Sequence, residues 1–122
     1  MKGLEHLGRT WLIDLDGTVT AHNTYLTTGD ALLPGVKDLW SRFSSEDRVI
    51  LLTAREERYR DATLSFLVAQ GLRHDVLLMG LPHGARILVN DCKPDGTPTA
   101  YSVNLARDQG LAPVVDLIGA AA

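Results

Sequence analysis

The fold is decided by the stretch Trp11-Leu12-Ile13-Asp14-Leu15-Asp16-Gly17-Thr18-Val19-Thr20, in which two acids follow an apolar run and lead into a turn. The apolar run predicts a buried β-strand, and the Gly-Thr pair predicts the turn that ends it. An unpaired carboxylate costs several kcal/mol to bury, so a buried strand has no ordinary use for two of them. Asp14 and Asp16 therefore predict a site with a positive partner, either a metal ion or an electrophilic phosphorus.

Composition sets the frame around this stretch. The chain has 122 residues, of which 45% are apolar and 22% charged, with a net charge of −3 and a single cysteine, Cys92. These values predict one globular domain over residues 1–122. No apolar run is long enough to cross a bilayer, and the first ten residues lack the apolar core of a signal peptide. We therefore expect a cytoplasmic protein without a membrane partner, and the acidic balance without a basic stripe predicts no nucleic-acid partner.

Strand and helix patterns alternate along the chain. Apolar runs predict strands at 10–15, 48–52, 75–79 and 86–90, and helical periodicity predicts helices at 36–43 and 56–70. This order is typical of an α/β fold with a Rossmann-like, mostly parallel sheet flanked by helices. A small flap is expected at 19–33, strand and helix patterns compete at 100–110, and a frayed tail is expected at about 117–122.

Polar side chains follow three of these predicted strands. Asp14 and Asp16 follow the first strand, Thr53-Ala54-Arg55 the second, and Asn90-Asp91 the fourth. Because the carboxyl ends of parallel strands meet at one edge of a sheet, ligands bind there. The sequence therefore predicts that these side chains converge in one site.

The order Asp-x-Asp-Gly-Thr, Leu-Leu-Thr and a late Asp resembles the three core motifs of the haloacid dehalogenase superfamily. The resemblance covers about residues 10–96 and implies that family's core without a cap domain, because the flap is too short to hold one. It implies that Asp14 is a nucleophile that becomes an aspartyl-phosphate and that Asp16 is the general acid and base. It also implies a Mg²⁺ ion held by Asp14, the backbone carbonyl of Asp16, and Asp91.

Phosphate binding is predicted for the residues that follow the second strand and for a basic residue near Asp91. Thr53 and Ala54 are expected to bind a phosphate oxygen, helped by the amino end of the following helix. The family's phosphate-binding lysine is missing, since Leu81 stands where related short connections are expected to carry it. Lys93 emerges near Asp91 and is the predicted replacement. Arg86 and Arg55 are the second choices for this cation. Arg86 begins the fourth predicted strand and should therefore lie at the opposite end of the sheet from Asp91.

Several further residues near the site allow two interpretations. His22 and Asn23 lie in the flap and could touch substrate, although solvated loop positions are the ordinary interpretation. Arg55 could reach a phosphate or cap its helix. Asp95 could hold a metal-bound water or belong to a Pro-Asp-Gly turn. Asn90 is a further candidate for substrate contact.

The function predicted from these residues is a Mg²⁺-dependent phosphomonoester phosphatase. The expected substrate is a small phosphorylated metabolite such as a sugar or polyol phosphate, and part of the chain is similar to hydrolases of capsule and polysaccharide biosynthesis clusters. A site without a cap needs either a neighbouring subunit, which predicts a homo-oligomer, or a large substrate that covers it. The alternatives are therefore a phosphatase for a macromolecule, such as a phosphorylated protein or nucleic-acid end, and a weakly active binding or regulatory module. The absence of the lysine at Leu81 favours the last of these.

Overall fold

The computed structural model describes residues 7–119 and shows an α/β fold. The elements run in the order β1 (Thr10–Asp14), α1 (Val36–Ser41), β2 (Arg48–Leu52), α2 (Arg60–Ala69), β3 (Val76–Leu78) and α3 (Ala112–Gly119). Short 3-10 turns occupy Thr24–Leu26 and Glu57–Tyr59. The predicted alternation of parallel strands with flanking helices is confirmed at this level. Over residues 7–119, no helix is long and apolar enough to cross a membrane.

The sheet has three parallel strands with β2 in the centre. Thr10 pairs with Arg48 and Asp14 with Leu52, so β1 and β2 run in register along their whole length. β3 pairs with the second half of β2. Val49 and Leu51 of β2 are fully buried, as expected for the central strand of a sheet with helices packed against it. This register brings the carboxyl ends of β1 and β2 to the same edge, where the acids of the motif follow.

The predicted fourth strand at 86–90 is wrong. The structure shows no strand there, and Ile87 and Val89 are 83% and 86% exposed. Strand propensity reflects packing against a neighbouring strand, so an apolar run without such a neighbour does not form one. Within the described residues β1 therefore stays an edge strand, paired on one side only.

The carboxyl-terminal part also differs from the prediction. The prediction of a frayed tail is wrong for residues 117–119, because α3 continues to Gly119 and Ile118 is buried in the core. Residues 120–122 lie outside the described part of the chain. The segment 100–110 forms neither of the competing elements and consists of irregular backbone with a turn at 107–109.

Gly110 fixes the approach of α3 to the loop before α1. Its φ is +90°, and a Cβ there would lie 2.2 Å from the Pro34 carbonyl oxygen, which also accepts a hydrogen bond from Leu111. We expect Gly110→Ala to lower the free energy of unfolding by about 3 kcal/mol, the sum of backbone strain and a forced backbone shift. Gly96 is the matched control, with the same φ and nothing within 4 Å of its Cβ position. Urea denaturation should show a clearly smaller loss for Gly96→Ala, and equal losses would contradict the packing argument.

Candidate active site

The turn after β1 presents two carboxylates from a rigid piece of backbone. The Leu15 carbonyl accepts hydrogen bonds from the backbone N–H groups of residues 18–20, which closes the turn. Gly17 lies in the left-handed region with φ +87°, a conformation that costs a residue with a Cβ atom extra energy. Leu15 is fully buried, while Asp14 and Asp16 on either side of it keep partial access to solvent. The alternation of the strand thus places both acids outside the core.

The Asp14 carboxylate accepts one hydrogen bond from a hydroxyl group and one from a guanidinium group. Thr18 Oγ1 donates to Asp14 Oδ2 at 2.9 Å, and Arg86 Nη1 donates to Asp14 Oδ1 at 2.5 Å. The side chains of Asp14 and Arg86 are 35% and 39% exposed. The expectation that Arg86 lies at the opposite end of the sheet is therefore wrong, because residue 86 does not begin a strand. Arg86 is the cation that the structure places on the predicted nucleophile.

Asp16 is bonded through both carboxylate oxygens. Thr53 Oγ1 donates to Oδ2 at 2.6 Å, and Arg55 Nε donates to Oδ1 at 2.9 Å. Thr53 is fully buried, Arg55 is 2% exposed, and Ala54 lies half-buried between them. The second motif thus holds Asp16 in place, which neither of the two interpretations of Arg55 anticipated. Binding of phosphate by Thr53 and Ala54 stays a prediction.

The other side of Arg55 contacts the flap. Asp30 accepts two hydrogen bonds from the guanidinium group, at 2.6 and 2.9 Å, and the Tyr25 ring lies 4.0 Å from its central carbon. Burial alone would lower the pKa of Arg55, but the hydrogen bonds and charges of Asp30 and Asp16 raise it above its ordinary value. The Tyr25 pKa is raised by burial and by the nearby charge of Asp16. Arg55 therefore stays a cation, and Asp30 and Tyr25 belong to the site.

The flap itself is closed by backbone hydrogen bonds at its base. Ala21 N donates to the Ala31 carbonyl at 3.0 Å, and Leu33 N donates to the Val19 carbonyl at 2.9 Å. These bonds give residues 19–33 a hairpin-like base below the 3-10 turn at Thr24–Leu26. Asp30 lies near this base, so its position is fixed by the backbone as well as by Arg55.

Two predicted flap residues have structural partners. His22 is half-buried, its backbone N–H donates to Asp108 Oδ1 at 2.9 Å, and its Nδ1 is buried without a hydrogen-bond partner among residues 7–119. The solvated position expected for His22 is therefore wrong. Asn23 is exposed, has φ +60°, and accepts a hydrogen bond from Leu26 through its carbonyl. Asn23 thus acts as a turn residue, and substrate contact by either residue stays a prediction.

The late acid is tied to its own loop. Asn90 Nδ2 donates to Thr99 Oγ1 at 2.7 Å, and that hydroxyl donates to the Asp91 carbonyl at 2.5 Å. Asp91 is exposed, and within residues 7–119 no three side chains among His, Cys, Asp and Glu lie close enough to hold a metal ion. Hard carboxylate oxygens suit Mg²⁺, and the predicted site needs only two carboxylates, those of Asp14 and Asp91, together with the Asp16 backbone carbonyl. Mg²⁺ binding therefore stays a prediction.

Lys93 and Asp95 form part of a tight turn after Asp91. Lys93 N donates to the Thr97 carbonyl at 2.9 Å, and Thr97 N donates to Asp95 Oδ1 at 2.9 Å. The latter hydrogen bond lowers the pKa of Asp95 below its ordinary value. Of the two interpretations of Asp95, the structure supports the Pro-Asp-Gly turn. The role of Lys93 in phosphate binding stays a prediction.

A further cation, which the sequence did not predict, lies at the turn after β1. A Cβ at Gly17 would lie 3.1 Å from Cγ and 3.8 Å from Nε of Arg107, so the Arg107 side chain runs along this turn. Asp108 N donates to the Gly17 carbonyl at 2.9 Å, which fixes the segment in place. Arg107 is exposed. Two exposed arginines, Arg86 and Arg107, thus lie at this turn, although the net charge of the chain is negative.

Comparisons with known proteins give two related chains. No protein-family model matches the sequence, and no curated protein matches it. One similar chain belongs to the "Structure of Pnkp1/Rnl/Hen1 complex", with 29% identity over 67% of this chain and a TM-score of 0.52. Another belongs to the "Structure of the Pnkp1/Rnl/Hen1 RNA repair complex", with 30% identity over 66% of this chain and a TM-score of 0.51.

These similarities overturn one expectation from the sequence. The predicted partner set, a small metabolite without nucleic acid, is contradicted because both similar chains belong to assemblies with the same three named components, one of them described as an RNA repair complex. A net charge of −3 does not describe the local surface, where Arg86 and Arg107 lie at the turn after β1, so it does not exclude a nucleic-acid partner. This chain spans 31% and 28% of the lengths of those two chains.

Proposed function

We propose that this chain is a phosphatase domain that removes a terminal phosphate from a nucleic acid, with RNA as the first candidate. The chemistry is carried by one observation, the turn that presents Asp14 and Asp16 with a separate arginine bonded to each. The substrate class is supported by the similarity to chains of an RNA repair complex. The resemblance to the haloacid dehalogenase superfamily supports the same reaction type, and we propose that the three-strand sheet belongs to that family's core.

The proposed reaction uses the two acids in succession. The cycle starts with Asp16 protonated. An Asp14 carboxylate oxygen attacks the terminal phosphorus, the ester P–O bond breaks, and the leaving alkoxide takes the proton that Asp16 carries. A water oxygen then attacks the phosphorus of the aspartyl-phosphate while Asp16 takes a proton from that water. Inorganic phosphate leaves and the Asp14 carboxylate is restored. Asp16 can serve both steps because Thr53 and Arg55 fix its orientation.

Arg86 is the proposed phosphate ligand. A phosphate is attracted by a guanidinium group and repelled by the Asp14 carboxylate, and bidentate Arg–phosphate bonds are among the strong hydrogen bonds of proteins. We propose that Arg86 exchanges its bond to Asp14 for bonds to the phosphate when substrate enters. This exchange would offset one negative charge of the phosphate and free the attacking oxygen. We propose that Arg107, along the same turn, contacts the next phosphate of a polynucleotide.

The test is phosphate release from matched substrates, with and without added Mg²⁺. The substrates are one RNA sequence with a 5′-phosphate, a 3′-phosphate or neither, the same sequence as DNA, mononucleotides, and a sugar phosphate. We expect kcat/KM for one RNA end to exceed that for the sugar phosphate by about tenfold or more, equivalent to one charge-assisted contact. KM for RNA should rise with salt, as binding of phosphates by arginine requires. Release from the sugar phosphate alone would overturn the substrate class, and release from none would favour a binding module.

A further inference from the structure

The guanidinium group of Arg55 has an acceptor for every one of its donors. Arginine carries five N–H groups. In addition to Asp16 and Asp30, Nη1 donates to Thr63 Oγ1 at 3.1 Å and Nη2 to Thr20 Oγ1 at 3.3 Å. The Arg55 side chain is 1% exposed. A guanidinium with this set of partners has one orientation, and that orientation decides where Nε points.

Nε is the atom that meets the proposed acid and base. It donates to Asp16 Oδ1, while the other Asp16 oxygen accepts from Thr53. The Thr53 hydroxyl oxygen in turn accepts a hydrogen bond from the backbone N–H of Arg55 at 3.0 Å. Any rotation of the Arg55 side chain therefore changes the position of Asp16 Oδ1.

Asp30 supplies the counter-charge on the far side of this guanidinium. Its side chain is 7% exposed, and it accepts from both Nη1 and Nη2 of Arg55. A two-point bond of this kind fixes the plane of the guanidinium as well as its distance. Asp30 comes from the flap, and Asp16 from the turn after β1. Arg55 thereby joins an acid of the flap, Asp30, to an acid of the turn, Asp16.

We propose that Asp30 is a positioning residue for Asp16, which it orients through Arg55. This inference rests on the proposed function, since it concerns the geometry of the acid and base in that reaction. Asp30 touches no reacting atom and acts by keeping Asp16 aligned with the leaving oxygen. The position of Asp30 in the flap is thus a condition for turnover.

The test compares Asp30→Asn with wild type on the phosphorylated RNA that the wild-type protein hydrolyses best. Asparagine keeps the size of the side chain but loses the charge and one acceptor, so the guanidinium is held less firmly. We expect kcat to fall about 10- to 100-fold, as misplacement of a catalytic group does, with KM within about twofold. Asp30→Glu keeps the charge and should recover part of kcat. Asp38→Asn removes a carboxylate from an exposed ion pair with Arg42 and should change neither constant.

A spectroscopic signal separates positioning from general damage. The Nε–Hε resonance of Arg55 in proton–nitrogen correlation spectra reports its hydrogen bond to Asp16 and should move in Asp30→Asn. A folded Asp30→Asn protein with wild-type kcat and an unmoved resonance would overturn the proposal. If Asp30→Asn does not fold, Asp30→Glu takes its place, because it keeps the charge but displaces the carboxylate by one methylene. A lower kcat with a shifted resonance supports the proposal, and a wild-type kcat with an unmoved resonance overturns it.

Failure of the proposed function would look different. A wild-type protein that releases phosphate from no substrate refutes the phosphatase and leaves the geometry open to measurement. The Arg55 resonance in wild type and Asp30→Asn then still decides whether Asp30 holds Arg55. Unmoved resonance in that case overturns the positioning role as well.

Discussion

Asp14→Asn is expected to abolish phosphate release, with kcat reduced by about 10⁴-fold or more, as the loss of a nucleophile does in other hydrolases. An amide oxygen is a poor nucleophile, and asparagine cannot form the acyl-phosphate. The substitution should leave the fold intact, because an amide oxygen can still accept the hydrogen bond from Thr18. The measurement is release of labelled phosphate from the preferred RNA end. Circular dichroism and the unfolding midpoint serve as controls for structure.

The matched variant is Asp16→Asn, which removes the proton donor and leaves the nucleophile. A substrate with a good leaving group, such as para-nitrophenyl phosphate, needs no proton for the first step. Asp16→Asn should therefore release one equivalent of para-nitrophenol in a burst and retain the phosphate on the protein. Asp14→Asn should show neither burst nor label. Substantial turnover by Asp14→Asn would refute the covalent mechanism, whatever its substrate.

Arg55→Met is expected to produce the largest loss of stability, about 3–5 kcal/mol in the free energy of unfolding. Methionine fills a similar space but leaves the carboxylates of Asp16 and Asp30 without their shared cation, at side-chain exposures of 13% and 7%. Removing one partner of a buried ion pair costs about 3–5 kcal/mol. This is a large share of the free energy of unfolding of a domain, which is typically about 5–15 kcal/mol. Urea denaturation measures the loss directly.

The control for this prediction is an arginine in an exposed ion pair. Arg42 pairs with Asp38 four residues earlier on the chain, and both side chains are about half exposed. Exposed pairs contribute about 0–1 kcal/mol, so Arg42→Met should have little effect. Adding Asp30→Asn to Arg55→Met should recover part of the loss by removing one of the two stranded charges. A loss below about 1 kcal/mol for Arg55→Met would show that the Arg55 cluster does not stabilise the fold.

The parts of the fold that could be predicted are those whose signal is local. β2 lies at the predicted residues, and β1 ends one residue earlier than predicted. Both strands could be predicted because each is an uninterrupted apolar run. α3 also has a local signal, but it is helical spacing and not an apolar run. Leu111, Val114, Val115 and Ile118 follow helical spacing and are all buried. Pro113 lies in the first turn of α3, where proline is tolerated, and does not argue against the helix.

The parts that could not be predicted depend on partners far away in the sequence. A strand at 86–90 requires a neighbouring strand, and composition does not show whether one is available. Gly29-Asp30 has the composition of a turn, and nothing local indicates that Asp30 meets an arginine 25 positions later. Arg107 is likewise an ordinary surface residue until the chain folds it along Gly17. The sequence therefore predicted that Asp14, Asp16, Thr53 and Arg55 belong to one site. It did not predict that Thr53 and Arg55 hold Asp16, or that Asp30 and Arg107 lie beside them.

Folding of the domain has to bring three segments together at Arg55. The hydrogen bonds of this side chain reach back 39, 35 and 25 residues along the chain. Contacts of such separation form slowly, because chain entropy is lost before any contact compensates for it. A charged side chain also cannot leave water before its partners have arrived. The cluster therefore assembles late, together with the packed domain, so the contacts that orient Asp16 exist only in the folded molecule.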